Sequence, residues 1–233
     1  MNILELRDIH TFIGPFHILQ GVSLTVPRGS ITALLGRNGA GKTTTLKSIM
    51  GMTPPRTGEI LFDGRPVHGL RSFEIASQGI GFVPDYRAVF RDLTVEENMQ
   101  LAERRKGDYA RKRDQIFSLF PDLLRLKDLR GNELSGGQQQ MLAIARALVP
   151  DNRLLLVDEP TEGLAPVVIE QLMDAIRELS KNTTVLLVEQ NFVVASRLAQ
   201  YYVIVEEGRT AKSGPMGDLL AQPDVIKRFL GAA

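Results

Sequence analysis

Residues 36–43 read Gly-Arg-Asn-Gly-Ala-Gly-Lys-Thr: a glycine, four residues, then Gly-Lys-Thr. That spacing suits the backbone to wrapping a phosphate closely, with successive amide N–H groups turned inward at a helix N-terminus. Gly36, Asn38, Gly39, Ala40, Gly41 and Thr44 would frame the phosphates. Lys42 would reach the terminal ones, and the Thr43 hydroxyl would serve Mg2+. A second candidate is Asp158-Glu159, two carboxylates delivered by the apolar run Leu154-Leu155-Leu156-Val157. Asp158 is placed to hold magnesium and Glu159 to polarise a water for attack on a terminal phosphate. The two suggestions reinforce each other, because phosphoryl transfer needs both a phosphate cradle and a metal carboxylate. A third stretch, Leu134-Ser135-Gly136-Gly137-Gln138, opens a helix whose apolar face is Met141, Ile144, Ala145 and Leu148. It is another helix start open to an anion, although it has no lysine of its own.

These loops need elements to hold them. Ile31-Thr32-Ala33-Leu34-Leu35 reads as a buried strand before the glycine loop, and residues 44–50 carry Leu46, Ile49 and Met50 at helical spacing behind it. Further apolar strands are predicted at 79–83, 154–157, 185–188 and 201–205, with a helix over 167–180. Alternating buried strands and helices imply a mainly parallel sheet covered on both faces. Residues 2–6 and 22–26 suggest antiparallel strands, the second ending at the turn Pro27-Arg28-Gly29, and 58–64 reads as a further strand closed by a turn. Residues 92–148 are helical in texture, and the tail over 214–230 reads as helical. The expectation is one α/β domain over 1–233: a core of 1–85 and 149–233, with a helical subdomain at 86–148.

Bulk composition narrows the function classes. With 28 Lys and Arg against 27 Asp and Glu, the net charge of +1 leaves no footprint for a nucleic-acid backbone. The basic cluster at Arg104, Arg105, Lys106, Arg111, Lys112 and Arg113 is interleaved with Glu103, Asp108 and Asp114, as on a solvated face. Cysteine is absent, which removes disulfides and thiolate metal sites. The first residues turn charged too early for a secretory signal. No window approaches the roughly 18 apolar residues of a spanning helix, so any membrane role is expected to run through a partner.

The three motifs in this order resemble the ATP-binding subunits of ABC transporters, and the resemblance extends over essentially the whole chain. It implies an α/β fold with a P-loop NTPase core, an antiparallel portion and an inserted helical subdomain. It also implies an ATP- and Mg2+-dependent ATPase that works as a dimer, homo- or heteromeric. The phosphate loop of one subunit and Ser135, Gly136, Gly137 and Gln138 of the other would close over one nucleotide. Partners would be transmembrane permease subunits at the cytoplasmic face of the cell membrane and, indirectly, a solute-binding protein. A finer similarity, in Leu93-Thr94-Val95-Glu96-Glu97-Asn98, Glu162-Gly163-Leu164-Ala165-Pro166 and Leu187-Val188-Glu189-Gln190-Asn191, is to branched-chain amino acid importers and their urea or amide relatives.

Four positions depart from the commonest pattern of that family. Asp85 stands where glutamine is usual, which leaves open whether it holds the metal or points elsewhere. Gln190 replaces a switch histidine; an amide can donate to the terminal phosphate but carries no proton, so Glu159 must be the base. Ala165 replaces an aspartate. The adenine-stacking aromatic is absent from Ile13-Gly14, and Phe12 is the expected substitute, with Phe16 as the alternative. Two other readings remain: a soluble ABC ATPase acting on nucleic acid or ribosomes, and a weakly hydrolysing regulatory half of a heterodimer.

Overall fold

The computed structural model describes residues 1–231. Two long strands, β1 (Asn2–Ile13) and β2 (Phe16–Pro27), pair antiparallel through a tight hairpin. Then come β3 (Ile31–Leu35), the glycine loop, α1 (Lys42–Ile49), β4 (Thr57–Phe62), the short β5 (Arg65–Pro66), α2 (Ser72–Ser77) and β6 (Ile80–Val83). The helical stretch holds α3 (Val95–Gln100), α4 (Asp108–Leu119), α5 (Pro121–Arg125) and α6 (Gly136–Leu148). The chain continues through β7 (Leu154–Asp158), α7 (Pro166–Leu179), β8 (Thr184–Val188), α8 (Phe192–Leu198) and β9 (Tyr201–Glu206). It ends with β10 (Arg209–Pro215), α9 (Met216–Leu220) and α10 (Pro223–Leu230).

Four strands form an antiparallel sheet in the order β2-β1-β4-β5, and six form a second sheet in the order β10-β9-β3-β8-β7-β6. In the second sheet β6, β7, β8, β3 and β9 run parallel, and β10 closes the edge antiparallel. All residues of β3, β7 and β8 are buried, as expected of strands covered on both faces. One apolar core, with Leu34, Leu46, Ile60, Leu156 and Leu186, fills the space between the two sheets. The other joins the opposite face of the parallel sheet, through Ala33, Val157 and Leu187, to α3–α6 and α7. The helices expected as an inserted subdomain therefore share a core with the sheet.

Several expected boundaries move. The strand expected at 2–6 runs to Ile13, because a left-handed Asp8 (φ 49) and irregular pairing between Leu6 and Ile9 carry it past a break in the alternation. The tail expected as helix from 214 begins as the end of β10, and Pro223 starts a second helix after Gln222. A proline at N1 is compatible with a new helix but not with the interior of a continuous one. The last two residues of the expected 149–233 core segment lie outside the described residues.

Candidate active site

The strand order places three strand ends side by side. β8 lies between β3 and β7, and Val188 is in register with both Leu34 and Asp158. The loops leaving the carboxyl ends of these parallel strands therefore converge, at the edge where open α/β sheets hold ligands. The glycine loop leaves β3, Asp158 ends β7 with Glu159 just after it, and Glu189-Gln190 follow β8.

The loop after β3 can form only with little side-chain bulk. A Cβ on Gly36 would come within 2.3 Å of the Val205 carbonyl oxygen, and one on Gly41, which caps α1 at φ 109, would come within 2.8 Å of Leu19 Cδ2. The first-turn amides of α1 have no intrahelical acceptors and face the loop, where the helix dipole favours an anion. Lys42 is buried and donates to the carbonyl oxygens of Gly36 (3.0 Å) and Arg37 (3.2 Å). Its Nζ is also 3.3 Å from Glu159 Oε1, and Gln190 Nε2 donates to Glu159 Oε2 at 2.8 Å. Glu159 itself is in the left-handed region (φ 44), a strained conformation for a residue with a side chain.

Thr43 Oγ1 donates to Asp158 Oδ1 at 3.3 Å, while Asp158 Oδ2 is buried with no protein partner. Burial pushes the Asp158 carboxyl up to about 6, helped by the charges of Asp85 and Glu159 and opposed by the Thr43 bond and Lys42. A buried carboxylate oxygen with an open lone pair beside a hydroxyl is a donor set for a hard cation. Among the described residues no group of three or more His, Cys, Asp or Glu could hold a metal by themselves. Asp85 is exposed, and its Oδ1 accepts from the Tyr86 amide at 2.9 Å.

A cleft of about 450 Å³ is lined by Asn38, Gly39, Gly41, Lys42, Thr43 and Thr44 of the expected phosphate set, with Glu159 and Gln190. Its remaining walls are Ile13, Ile18 and Glu162. Phe12 is not one of them. Its ring stacks on the cross-strand neighbour His17 (centroids 4.1 Å apart, 6° between planes) and carries the Arg56 guanidinium 4.0 Å from its centroid. The Phe12 ring is thus engaged in the antiparallel sheet, while Ile13 and Ile18 line the cleft. Phe16 is exposed at the hairpin.

Ser135, Gly136, Gly137 and Gln138 do not line that cleft either. Ser135 caps α6, its Oγ accepting from the Gln138 amide (3.3 Å) while Gln138 Oε1 accepts from the Ser135 amide (2.8 Å). The cation the sequence lacks at this helix start is supplied from elsewhere: a Cβ on Gly136 would come within 3.0 Å of Arg87 Nη1. Arg87 follows β6, and nothing in the local sequence signals its approach to α6.

Sequence reasoning also missed Glu189 as a structural group. It is 2% exposed, its Oε1 accepts from Thr161 Oγ1 at 2.7 Å, and its Oε2 accepts from the Asn191 amide at 3.2 Å. The signal was present: Leu156-Val157-Asp158-Glu159 and Leu187-Val188-Glu189-Gln190 are two apolar strands that end in the same way.

A glycine loop at a helix start, a lysine, and strand-end carboxylates on one edge of a parallel sheet define a phosphate-loop nucleotide-hydrolysing domain. The family model for ABC transporters matches residues 19–162. The high-affinity branched-chain amino acid transport ATP-binding protein BraG of Pseudomonas aeruginosa is 40% identical over 232 residues, covering 98% of this chain and 100% of that protein. An ABC transporter ATP-binding cassette in its ADP conformation superposes with a TM-score of 0.86 at 25% identity, covering 100% of both chains. The dimeric structure of a bacterial ABC transporter cassette gives 0.80 at 27% identity, covering 91% of this chain and 98% of that one. The chain belongs to the ABC transporter ATP-binding family, and it is an ATPase that powers a transporter. No helix among the described residues is long and apolar enough to cross a membrane.

Proposed function

We propose that the protein drives uptake of branched-chain amino acids or a related small solute, as one of a pair of ATPase subunits docked on a membrane permease at the cytoplasmic face. The core (1–85 and 149–233) hydrolyses ATP, and the helical segment 86–148 passes the motion to the permease. The similarity to BraG over nearly the full length supports the solute class. The dimeric cassette among the structural neighbours, and the fact that Ser135 to Gln138 do not line this chain's own cleft, support a site shared between two copies.

The observation that carries the catalytic reading is the pairing of Glu159 with both Lys42 and Gln190. Phosphate oxygens entering the loop exchange for the Gly36 and Arg37 carbonyls at Lys42 and weaken its hold on Glu159. Glu159 then takes a proton from water as the water oxygen bonds to the terminal phosphorus and the bond to the bridging oxygen breaks, leaving ADP and phosphate. Gln190 donates its amide to the terminal phosphate. Thr43 and Asp158 would hold Mg2+, whose charge would offset that on the phosphates.

Mixing the chain with its permease and solute-binding protein in vesicles tests the reading. ATP-dependent accumulation of leucine, isoleucine or valine is expected. Light scattering of Glu159→Gln under Mg-ATP is expected to give a dimer, and a monomer at saturating nucleotide overturns the shared site.

A further inference from the structure

One buried titratable group has no part in that mechanism. Glu189 is the first residue after β8, and its carboxylate accepts from Thr161 Oγ1 (2.7 Å) and from the Asn191 amide (3.2 Å). Thr161 is itself buried and lies two residues beyond Glu159. Asn191 in turn caps α8, its side chain accepting from the Val193 and Val194 amides.

The loops after β7 and β8 are therefore joined by three rungs. The Glu159 amide donates to the Val188 carbonyl (3.0 Å), Gln190 donates to the Glu159 carboxylate (2.8 Å), and Thr161 donates to Glu189 (2.7 Å). Only the first is a backbone bond that any sequence could make. Glu159 is held at φ 44, and a residue with a side chain stays in that region only when its surroundings over-determine it. The Thr161 rung ties down the chain just beyond the strained residue, while Asn191 ties down the chain just beyond Gln190. Burial raises the Glu189 carboxyl to about 7 against the pull of its donors, with the Glu159 charge adding to the rise. An acid here is thus a cost to the fold that a packed apolar side chain would avoid.

We propose that Glu189 is a positioning residue for ATP turnover: through Thr161 it fixes the turn that aims Glu159 and keeps Gln190 in reach of it. The proposal rests on the assignment of Glu159 as the base. Its action is on the rate of the chemical step rather than on nucleotide binding, because neither Glu189 nor Thr161 lines the nucleotide cleft.

Single-turnover hydrolysis, with the purified full chain in excess over Mg-ATP and concentrated enough to bind it all, tests it, with equilibrium ATP binding and melting temperature measured alongside. Thr161→Val removes the hydroxyl and keeps the shape, Thr161→Ser keeps the hydroxyl, and Glu189→Gln replaces one of the acceptors by a donor. Thr161→Val and Glu189→Gln are each expected to slow turnover about 10- to 100-fold, the range a misplaced catalytic group gives, with ATP affinity unchanged. Thr161→Ser is expected to turn over like the parent. The double variant is expected to be no slower than the slower single variant, since both cut the same rung. Parent-like turnover in Thr161→Val, or an equal loss in Thr161→Ser and Thr161→Val, overturns the proposal, and the serine-valine comparison stands even if Glu189→Gln fails to fold. Glu159→Gln serves as the control. If it is arrested while Thr161→Val is not, the positioning role alone fails; if it hydrolyses at the parent rate, the base assignment fails and takes the positioning role with it.

Discussion

Lys42 and Glu159 meet 3.3 Å apart, although one follows β3 and the other β7. The other carboxylate oxygen of Glu159 is held by Gln190 at 2.8 Å. The group assigned as the base is thus oriented before nucleotide arrives. Glu159→Gln keeps the shape and loses the proton acceptor. Phosphate release is expected to fall about 10²- to 10⁴-fold, the usual contribution of general base catalysis, with ATP binding retained. Phosphate release at the parent rate would remove Glu159 from the chemistry.

Gln190 offers a test that titrates. Gln190→Ala is expected to slow turnover with little change in KM, since its amide holds Glu159 and, in the proposed mechanism, donates to the terminal phosphate. Gln190→His restores a donor but introduces an imidazole, whose ordinary pKa is about 6.5. A new limb is therefore expected in the rate profile between about pH 6 and 7 that the parent lacks. Superimposable profiles for the histidine variant and the parent would mean that position 190 does not touch the reacting groups.

Asp158 makes stability and function oppose each other. Burial holds its carboxyl at about 6, above its ordinary value of 3.8, and Oδ2 has no partner. The folded state then binds more protons than the unfolded one between those two values, so stability is lost as pH rises from 3.8 to about 6 and is not recovered above. Asp158→Asn removes the charge. In the absence of nucleotide its melting temperature is expected to exceed the parent's at pH 8 and to lose that advantage near pH 4. Mg-ATP is expected to protect the variant less than the parent. Equal protection, read by thermal shift with and without Mg2+, would argue against Asp158 as the cation ligand.

Gly36 is fixed by its neighbours. A Cβ there would lie 2.3 Å from Val205 oxygen and 3.2 Å from Ala40 Cβ, at φ 151. Gly36→Ala must shift either the loop or β9. It is expected to lower stability by about 1–3 kcal/mol and to weaken ATP binding more than it slows the chemistry of bound nucleotide. Denaturant unfolding and ATP titration measure the two effects, and a parent-like affinity would show that the loop conformation is not what binds phosphate.

Much of this site was legible before folding because its parts are local. Residues 31–49 carry their own strand, turn and helix, and Leu154 to Asp158 is apolar enough to be buried wherever it is placed. Ser135 and Gln138 form a capping box within four residues of chain. The aromatic at position 12 was not legible, because the side of a strand on which a ring lies depends on register, and the β1–β2 pairing is irregular between Thr11 and Phe12. β10 and the break at Pro223 were hidden by a tail whose apolar residues fit a helical spacing on both sides of the break.

The sequence by itself determined that a phosphate-binding turn, a strand-end acid pair and a capped glycine-rich helix start exist, since each depends on steric and capping preferences within a few residues. Only the tertiary structure decided that β8 inserts between β3 and β7. That order brings Gln190 to Glu159, Glu189 to Thr161 and Asp158 to Thr43. Strand order is set by which apolar faces the two cores bury together, a long-range balance that no single segment encodes.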